Sequence, residues 1–422
     1  MEEGRRFDSA GFLGQRFILF DSQNVLNIYN PRSYIMKNIL TLSLVLISFC
    51  GFSQNNLPVI RATSNQAKIF EPNNVASNWS INPKLKPDIH STGKLAYPGT
   101  VKFKTDIDSI SFKIAPGKYK DFIVLLNGKD SCFTRIQSTQ VKDFSKISVE
   151  IHDTIPFFIN QFNTNFLPVV LNGTDSLLLN FDSGATEICI TTDALKSKVK
   201  SRPQLYNNAY DIQIGNQTFK SKIYDISIAG NEVDGLLGWN LFDGMIVELD
   251  YDHNRMIVHS KMPRQIAHDT QYAKFNITYI KNKPFIESEI SQGGTINKSL
   301  FFFDLGYQRA VMLDNDALTG AQFPTNKMRL IKKVIMHGTR GNEVPVITSN
   351  LESLKIGEFQ LKNVPAQIMT QGKPMPGVNV HYLGSDVLKR FNTVLDFQKN
   401  VVYLKPNHLY DIEYADQEKR GG

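Results

Sequence analysis

Short apolar runs bounded by turn residues recur along most of this chain, the pattern of strands rather than helices. Thr100 to Thr105, Ser109 to Ile114 and Phe122 to Leu126 read as strands, and Asn127-Gly128 closes the last into a hairpin. Phe166-Leu167-Pro168-Val169-Val170-Leu171 is another strand. Asn172-Gly173 turns it, and Ser176 to Phe181 returns into Asp182-Ser183-Gly184-Ala185. Further on, Pro284-Phe285-Ile286 opens a strand, Gly293-Gly294 turns it, and Leu300 to Phe303 runs into Asp304-Leu305-Gly306-Tyr307. No stretch reads as a long amphipathic helix. From Thr63 to roughly Pro98 the pattern dissolves into Asn, Pro and Ser with little periodicity. The expectation is an all-β protein.

Those pieces repeat in order, and the later part of the repeat is clearer still. Leu236-Leu237-Gly238 leads through Leu249-Asp250-Tyr251 to Asn254–Val258. Tyr382-Leu383-Gly384 leads through Leu395-Asp396-Phe397 to Asn400–Leu404, at a constant offset of 146. A hairpin around Ile214-Gly215 or Ile356-Gly357 precedes each block. Asp182 lies 56 residues before Gly238 and Asp304 lies 80 before Gly384, so the second copy carries 24 extra residues, a longer loop or hairpin. The expected organisation is a first lobe at 153–265, a second at 266–408 and a polar tail at 409–422. Residues 54–152 are read as a small β-sandwich-like domain that serves as pro-segment, docking module or packing partner.

With 422 residues the chain has room for two or three domains. The 28 Phe and 15 Tyr reinforce the strand reading. Net charge is +7, but the basic residues are scattered and form no stripe with interleaved aromatics, so a nucleic-acid partner is not expected. Met36-Lys37-Asn38, the apolar run Ile39 to Phe49 and Gly51-Phe52-Ser53 read as a signal peptide over 36–53, cut before Gln54. The run is too short to span a bilayer comfortably. Residues 1–35 then form an upstream extension, and the mature protein is expected to be periplasmic or secreted without stable membrane insertion. Only Cys132 and Cys189 remain after that cut. They either pair or persist as free thiols.

An apolar strand that ends in Asp-Ser-Gly places a carboxylate at the edge of a core on a rigid support, and the glycine permits close approach of a second backbone. Two lobes related by a pseudo-twofold axis bring two such turns face to face. Two carboxylates held that close share a proton. One becomes a base toward a bound water and the other an acid toward a carbonyl oxygen.

The segment Leu177-Leu178-Leu179-Asn180-Phe181-Asp182-Ser183-Gly184-Ala185, with Leu236-Leu237-Gly238 downstream, resembles the aspartic proteases of the retropepsin and pepsin type. The resemblance covers about 153–408. It implies a bilobal all-β fold with a cleft, a β-hairpin flap, extended peptides or proteins as substrates, a monomer whose lobes pair within one chain, and no cofactor or metal. By position the implied catalytic pair is Asp182 and Asp304, supported at the turns by Ser183, Gly184, Ala185, Leu305 and Gly306. Leu237-Gly238 and Leu383-Gly384 are implied to pack beneath the site. Residues 54–152 have no counterpart in that family.

The second turn departs from the family pattern: Leu305 stands where a Ser or Thr is expected, and Tyr307 where a small residue is expected. The paired hydroxyls that brace the two turns in the family are thus reduced to one. The alternative function is a pseudo-protease that binds extended peptides in the cleft without cutting, and for each Asp the competing role is a turn residue at a strand end. An active enzyme is expected to work best at acid to near-neutral pH. Asp250 and Asp396 are expected to shape hairpin turns. Tyr206, Tyr210 and the run Val334 to Asn342, containing His337-Gly338-Thr339-Arg340-Gly341, are weaker flap candidates.

Overall fold

The computed structural model describes residues 57–72, 75–337 and 343–416. The expected extension and signal peptide lie outside the described residues. Residues 57–137 build two four-stranded sheets from β1 (Val59–Ala62), β2 (Gln66–Glu71), β3 (Val75–Ser80), β4 (Asp88–Ser91), β5 (Gly99–Lys104), β6 (Ser109–Ile114), β7 (Tyr119–Leu126) and β8 (Asp130–Gln137). Their orders are β1-β7-β8-β4 and β3-β2-β5-β6. Alternate residues, among them Ile60, Ile69, Val101, Phe103, Phe122 and Val124, meet in one core. Asn127 and Gly128 both take positive φ, as a two-residue hairpin turn requires. Three strands fall in the stretch without periodicity. Of β3 only Val75 is buried and of β4 only Asp88, so neither presents an apolar alternation to read.

The first repeat contributes β9 (His152–Pro156), then β10 (Phe158–Ile159), β11 (Asn165–Leu171), β12 (Asp175–Asp182), β13 (Ile188–Thr191), β14 (Ala209–Ile214), β15 (Gln217–Ile226) and β16 (Gly235–Gly238). Strands β10 to β16 form a seven-stranded sheet in the order β10-β11-β12-β16-β13-β15-β14, closed into a barrel by pairing of β11 with β14. After β17 (Ile246–Asp250), β18 (Arg255–His259) and β19 (Ala273–Asn276), the second repeat forms a like sheet. Its strands are β20 (Thr278–Ile280), β21 (Lys283–Gln292), β22 (Thr295–Phe303), β23 (Val311–Leu313), β24 (Arg329–His337), β25 (Glu343–Ile356), β26 (Phe359–Met369) and β27 (His381–Leu383). Pairing of β21 with β25 closes it. The fold is therefore bilobal and all-β.

A third sheet joins the lobes. With β28 (Phe391–Asp396) and β29 (Val401–Pro406), its order is β19-β29-β28-β17-β18-β9, three strands from each repeat. At its centre β17 runs antiparallel to β28, and Glu248 sits opposite Val394, the residue 146 positions later. The pseudo-twofold axis passes between these two residues. One continuous core runs through both lobes and includes Leu179, Phe181, Leu237, Phe301, Phe303 and Leu383. Each such fully buried side chain contributes about 1.5–3 kcal/mol.

The 24 extra residues of the second lobe are spent mainly on β24, which lies outside β25 and has no partner strand in the first lobe. Of the run Val334 to Asn342 expected as a flap tip, Val334–His337 end β24 and residues 338–342 lie outside the described residues. The described part of the polar tail, 409–416, is held to the second lobe. Tyr414 is buried, Arg390 donates to the carbonyls of Leu409, Tyr410 and Ile412, and Asp416 accepts from Arg309 and Lys332. Residues 409–416 are thus tied to the second lobe, and their carbonyls supply acceptors that the buried Arg390 guanidinium needs beyond that of Asp386. Asp250 and Asp396 accept from backbone N–H groups two or three residues on, and Asn254 and Asn400 take positive φ in the same turns. Among the described residues no helix is long and apolar enough to cross a membrane.

Candidate active site

Each lobe brings its Asp to the site in the same way. Strand β12 pairs in parallel with β16, Asp182 beside Gly238, and β22 pairs in parallel with β27, Phe303 beside Leu383. The chain must then cross over each motif glycine. A Cβ at Gly238 would lie 2.5 Å from the backbone of Glu187, and one at Gly384 would lie 2.1 Å from the carbonyl of Arg309. Both contacts are far inside van der Waals distance, so only glycine fits beneath the turns.

The turns interleave across the axis. In each, the Asp carboxylate accepts from the N–H two residues on, Gly184 at 2.6 Å and Gly306 at 3.0 Å. A Cβ on Gly184 would stand 2.7 Å from Asp304 Oδ1, and one on Gly306 would stand 2.4 Å from Asp182 Cγ. Each carboxylate is therefore lodged over the glycine of the opposite turn. Burial and the charge of Asp182 push the Asp304 carboxyl well above its ordinary range. Burial also raises Asp182, but less, because the Lys283 ammonium, the Gly184 N–H and a hydrogen bond from Asp304 favour its ionised form. Both carboxyls are thus raised, Asp304 the more strongly, and a pair this close favours one proton between its two members.

Bracing is one-sided. Ser183 Oγ, buried, donates to the Phe303 carbonyl at 2.6 Å and accepts from the Leu305 N–H at 2.9 Å. Leu305 returns nothing and packs into the joint core. Its carbonyl is held instead by the Ser385 hydroxyl at 2.6 Å, which accepts in turn from Asn165 of the first lobe at 2.9 Å. Ala185 accepts at its carbonyl from the Trp239 N–H. Tyr307, in place of a small residue, directs its hydroxyl to Gln367 at 2.6 Å.

Asn165, Ser385 and Lys283 were not singled out by sequence. The first two lie one residue beyond recognised segments, and Lys283 opens the strand read from Pro284. Cys189 is a half-buried free thiol whose pKa is pushed up to about 11 by burial and by the Asp182 charge. Cys132 is free and buried in the N-terminal sandwich. Tyr206 binds Asp225, and Tyr210 binds the backbone of Gln204, so both hold the 199–210 loop rather than reaching the carboxylates. A cavity of about 510 Å³ borders Thr186, Glu187 and Gly238 but touches neither carboxylate. Among the described residues no group of three or more His, Cys, Asp or Glu is arranged to hold a metal ion.

No family model matches the sequence, and no curated protein matches it. Among solved structures, the crystal structure of an aspartic proteinase from Irpex lacteus is similar, with a TM-score of 0.42 and 15% identity. The match covers 62% of this chain and 98% of that one.

Proposed function

We propose that the protein is an aspartic-type endopeptidase in which Asp182 and Asp304 activate water against a peptide bond. The observation that supports this best is the interleaving of the two carboxylates over each other's glycines, a closeness that favours one proton shared between them. Asp182 takes a proton from a water as its oxygen bonds to the carbonyl carbon, and Asp304 gives its proton to the carbonyl oxygen. The tetrahedral intermediate then collapses: the C–N bond breaks, the proton held on Asp182 passes to the leaving nitrogen, and Asp304 recovers its own.

The second reading, a non-cutting peptide binder, is favoured by Leu305 alone. Cleavage of a denatured mixed-protein substrate by the full chain across pH 3 to 8 separates the two. The enzyme reading expects activity at acid to near-neutral pH, reduced about 10²–10⁴-fold in both Asp182→Asn and Asp304→Asn. Undiminished cleavage by either variant would remove the paired-carboxylate mechanism. A parent that retains peptides but never cuts them would leave the binder.

A further inference from the structure

Lys283 reaches the reactive turns from the first residue of β21. Its Nζ donates to the Gly184 carbonyl, and it lies 5.1 Å from the centre of the Phe302 ring. Gly184 is the residue whose Cα faces both carboxylates, so the ammonium sits beside the pair. Among the described residues it makes no ion pair within 4 Å, and its hydrogen-bond acceptor is a neutral carbonyl.

The pseudo-symmetry shows that this is no requirement of the fold. Strand pairing aligns Asn163-Thr164-Asn165 with Asn282-Lys283-Pro284, and Asn163 and Asn282 share the same positive φ. The mate of Lys283 is therefore Thr164, which accepts from the neutral Gln308. One side of the carboxylate pair carries a cation and the other a hydroxyl.

We propose that Lys283 is a third functional residue of the site, a fixed cation that balances the single negative charge of the proton-sharing pair. This rests on the hydrolytic reading above. A pair that holds one proton has a net charge of −1, and an ammonium beside it makes the cluster neutral. That favours the singly ionised form over the doubly protonated one, and lets the pair keep its working state further into acid. The titratable groups that interact with it are Asp182, Asp304 and the Cys189 thiol from β13. Of these the thiol is raised, hence neutral over the working range, and Lys283 is the cation that acts on both carboxylates.

Lys283→Gln keeps a donor for the Gly184 carbonyl and removes the charge, and Lys283→Arg keeps the charge. In Lys283→Gln both limbs of the pH–rate profile should move to higher pH, with cleavage at a fixed pH on the acid limb down about tenfold. Lys283→Arg should stay with the parent. A Lys283→Gln profile that superimposes on the parent, changed only in height, would overturn the proposal. Carboxyl ¹³C NMR of the Asp-labelled full chain supplies a readout without turnover, with signals assigned through Asp182→Asn and Asp304→Asn. Both titrations should move upward in Lys283→Gln. If they do so in a parent that cuts nothing, the cation role stands and the hydrolytic reading alone fails; unmoved titrations reject the cation role whatever the activity.

Discussion

In the first lobe the turn Asp182-Ser183-Gly184-Ala185 reaches across the axis with a hydroxyl that both donates and accepts. In the second lobe the turn Asp304-Leu305-Gly306-Tyr307 reaches across with an apolar side chain, and its carbonyl is tied down from below by Ser385 and Asn165. The Asp, the following Gly and the crossing Gly are the same in both. What differs is how the polar backbone groups nearby are satisfied. Geometry that a Cβ would destroy is retained in both copies, whereas hydrogen-bond partners are exchanged freely, provided that each buried group finds one.

A second contrast concerns the loops before β17 and β28. Lys389 of the second repeat donates to Asn163 at 2.6 Å and pairs with Asp386. Its equivalent in the first repeat, 146 positions earlier, is Asp243, and the equivalent of Asn163 is Asn282. Here Lys94 of the N-terminal sandwich completes the link: its ammonium binds Asp243 and its backbone N–H binds Asn282. Burial lowers the Lys94 pKa, and the rings of Trp239, Tyr279 and Phe397 surround the ammonium. A residue from outside the repeat fills the place that a repeat residue fills on the other side, which makes 57–137 part of the folded body.

The sharpest way to break the equivalence of the two turns is to add a methyl group to each. Gly306→Ala and Gly184→Ala should each lower cleavage about 100-fold or more, because a displacement on the order of 1 Å misplaces the carboxylate pair. Near-parental activity in Gly306→Ala would mean that the second turn is not part of the reacting centre. Next in size, Lys94→Met should cost about 3 kcal/mol in urea unfolding, since it strands a nearly buried Asp243. Limited proteolysis should then release the sandwich. Lys389→Met should cost a similar amount but leave the sandwich attached.

Ser183→Ala removes two buried hydrogen bonds and should cost about 2 kcal/mol. Leu305→Ser gives the second turn a hydroxyl like that of Ser183 but deletes apolar packing, and should also cost about 2–3 kcal/mol rather than stabilise. A gain in stability for Leu305→Ser would show that the one-sided brace is a defect rather than a substitution. The smallest effect is on stability against pH. The Asp304 carboxyl is raised on folding, so the native state holds its proton to higher pH than the unfolded chain. Its ionisation therefore costs stability progressively as pH rises above the unfolded value of about 3.9. Asp304→Asn should stabilise the fold by about 1 kcal/mol at pH 7 and by nothing near pH 3, as followed by thermal unfolding.

The strands that carry the site were legible because each pairs an apolar face with a two-residue turn of fixed chemistry: Asn172-Gly173 and Gly293-Gly294 all take positive φ as such turns demand. The repeat was legible because the glycines at 238 and 384 cannot be replaced, so the block around each keeps its spacing. Strands β3 and β4 were not, since each buries a single residue and leaves no alternation. The contacts of the tail were not legible either, because they join residues from about 20 to 107 positions apart, Arg390 with Leu409 at one extreme and Arg309 with Asp416 at the other. Local pattern thus settled which segments become strands and where the two carboxylates stand in the chain. What braces Leu305 and what Lys283 and Lys94 touch were decided by packing, because charge and hydrogen bonding act through space between residues that no sequence spacing relates.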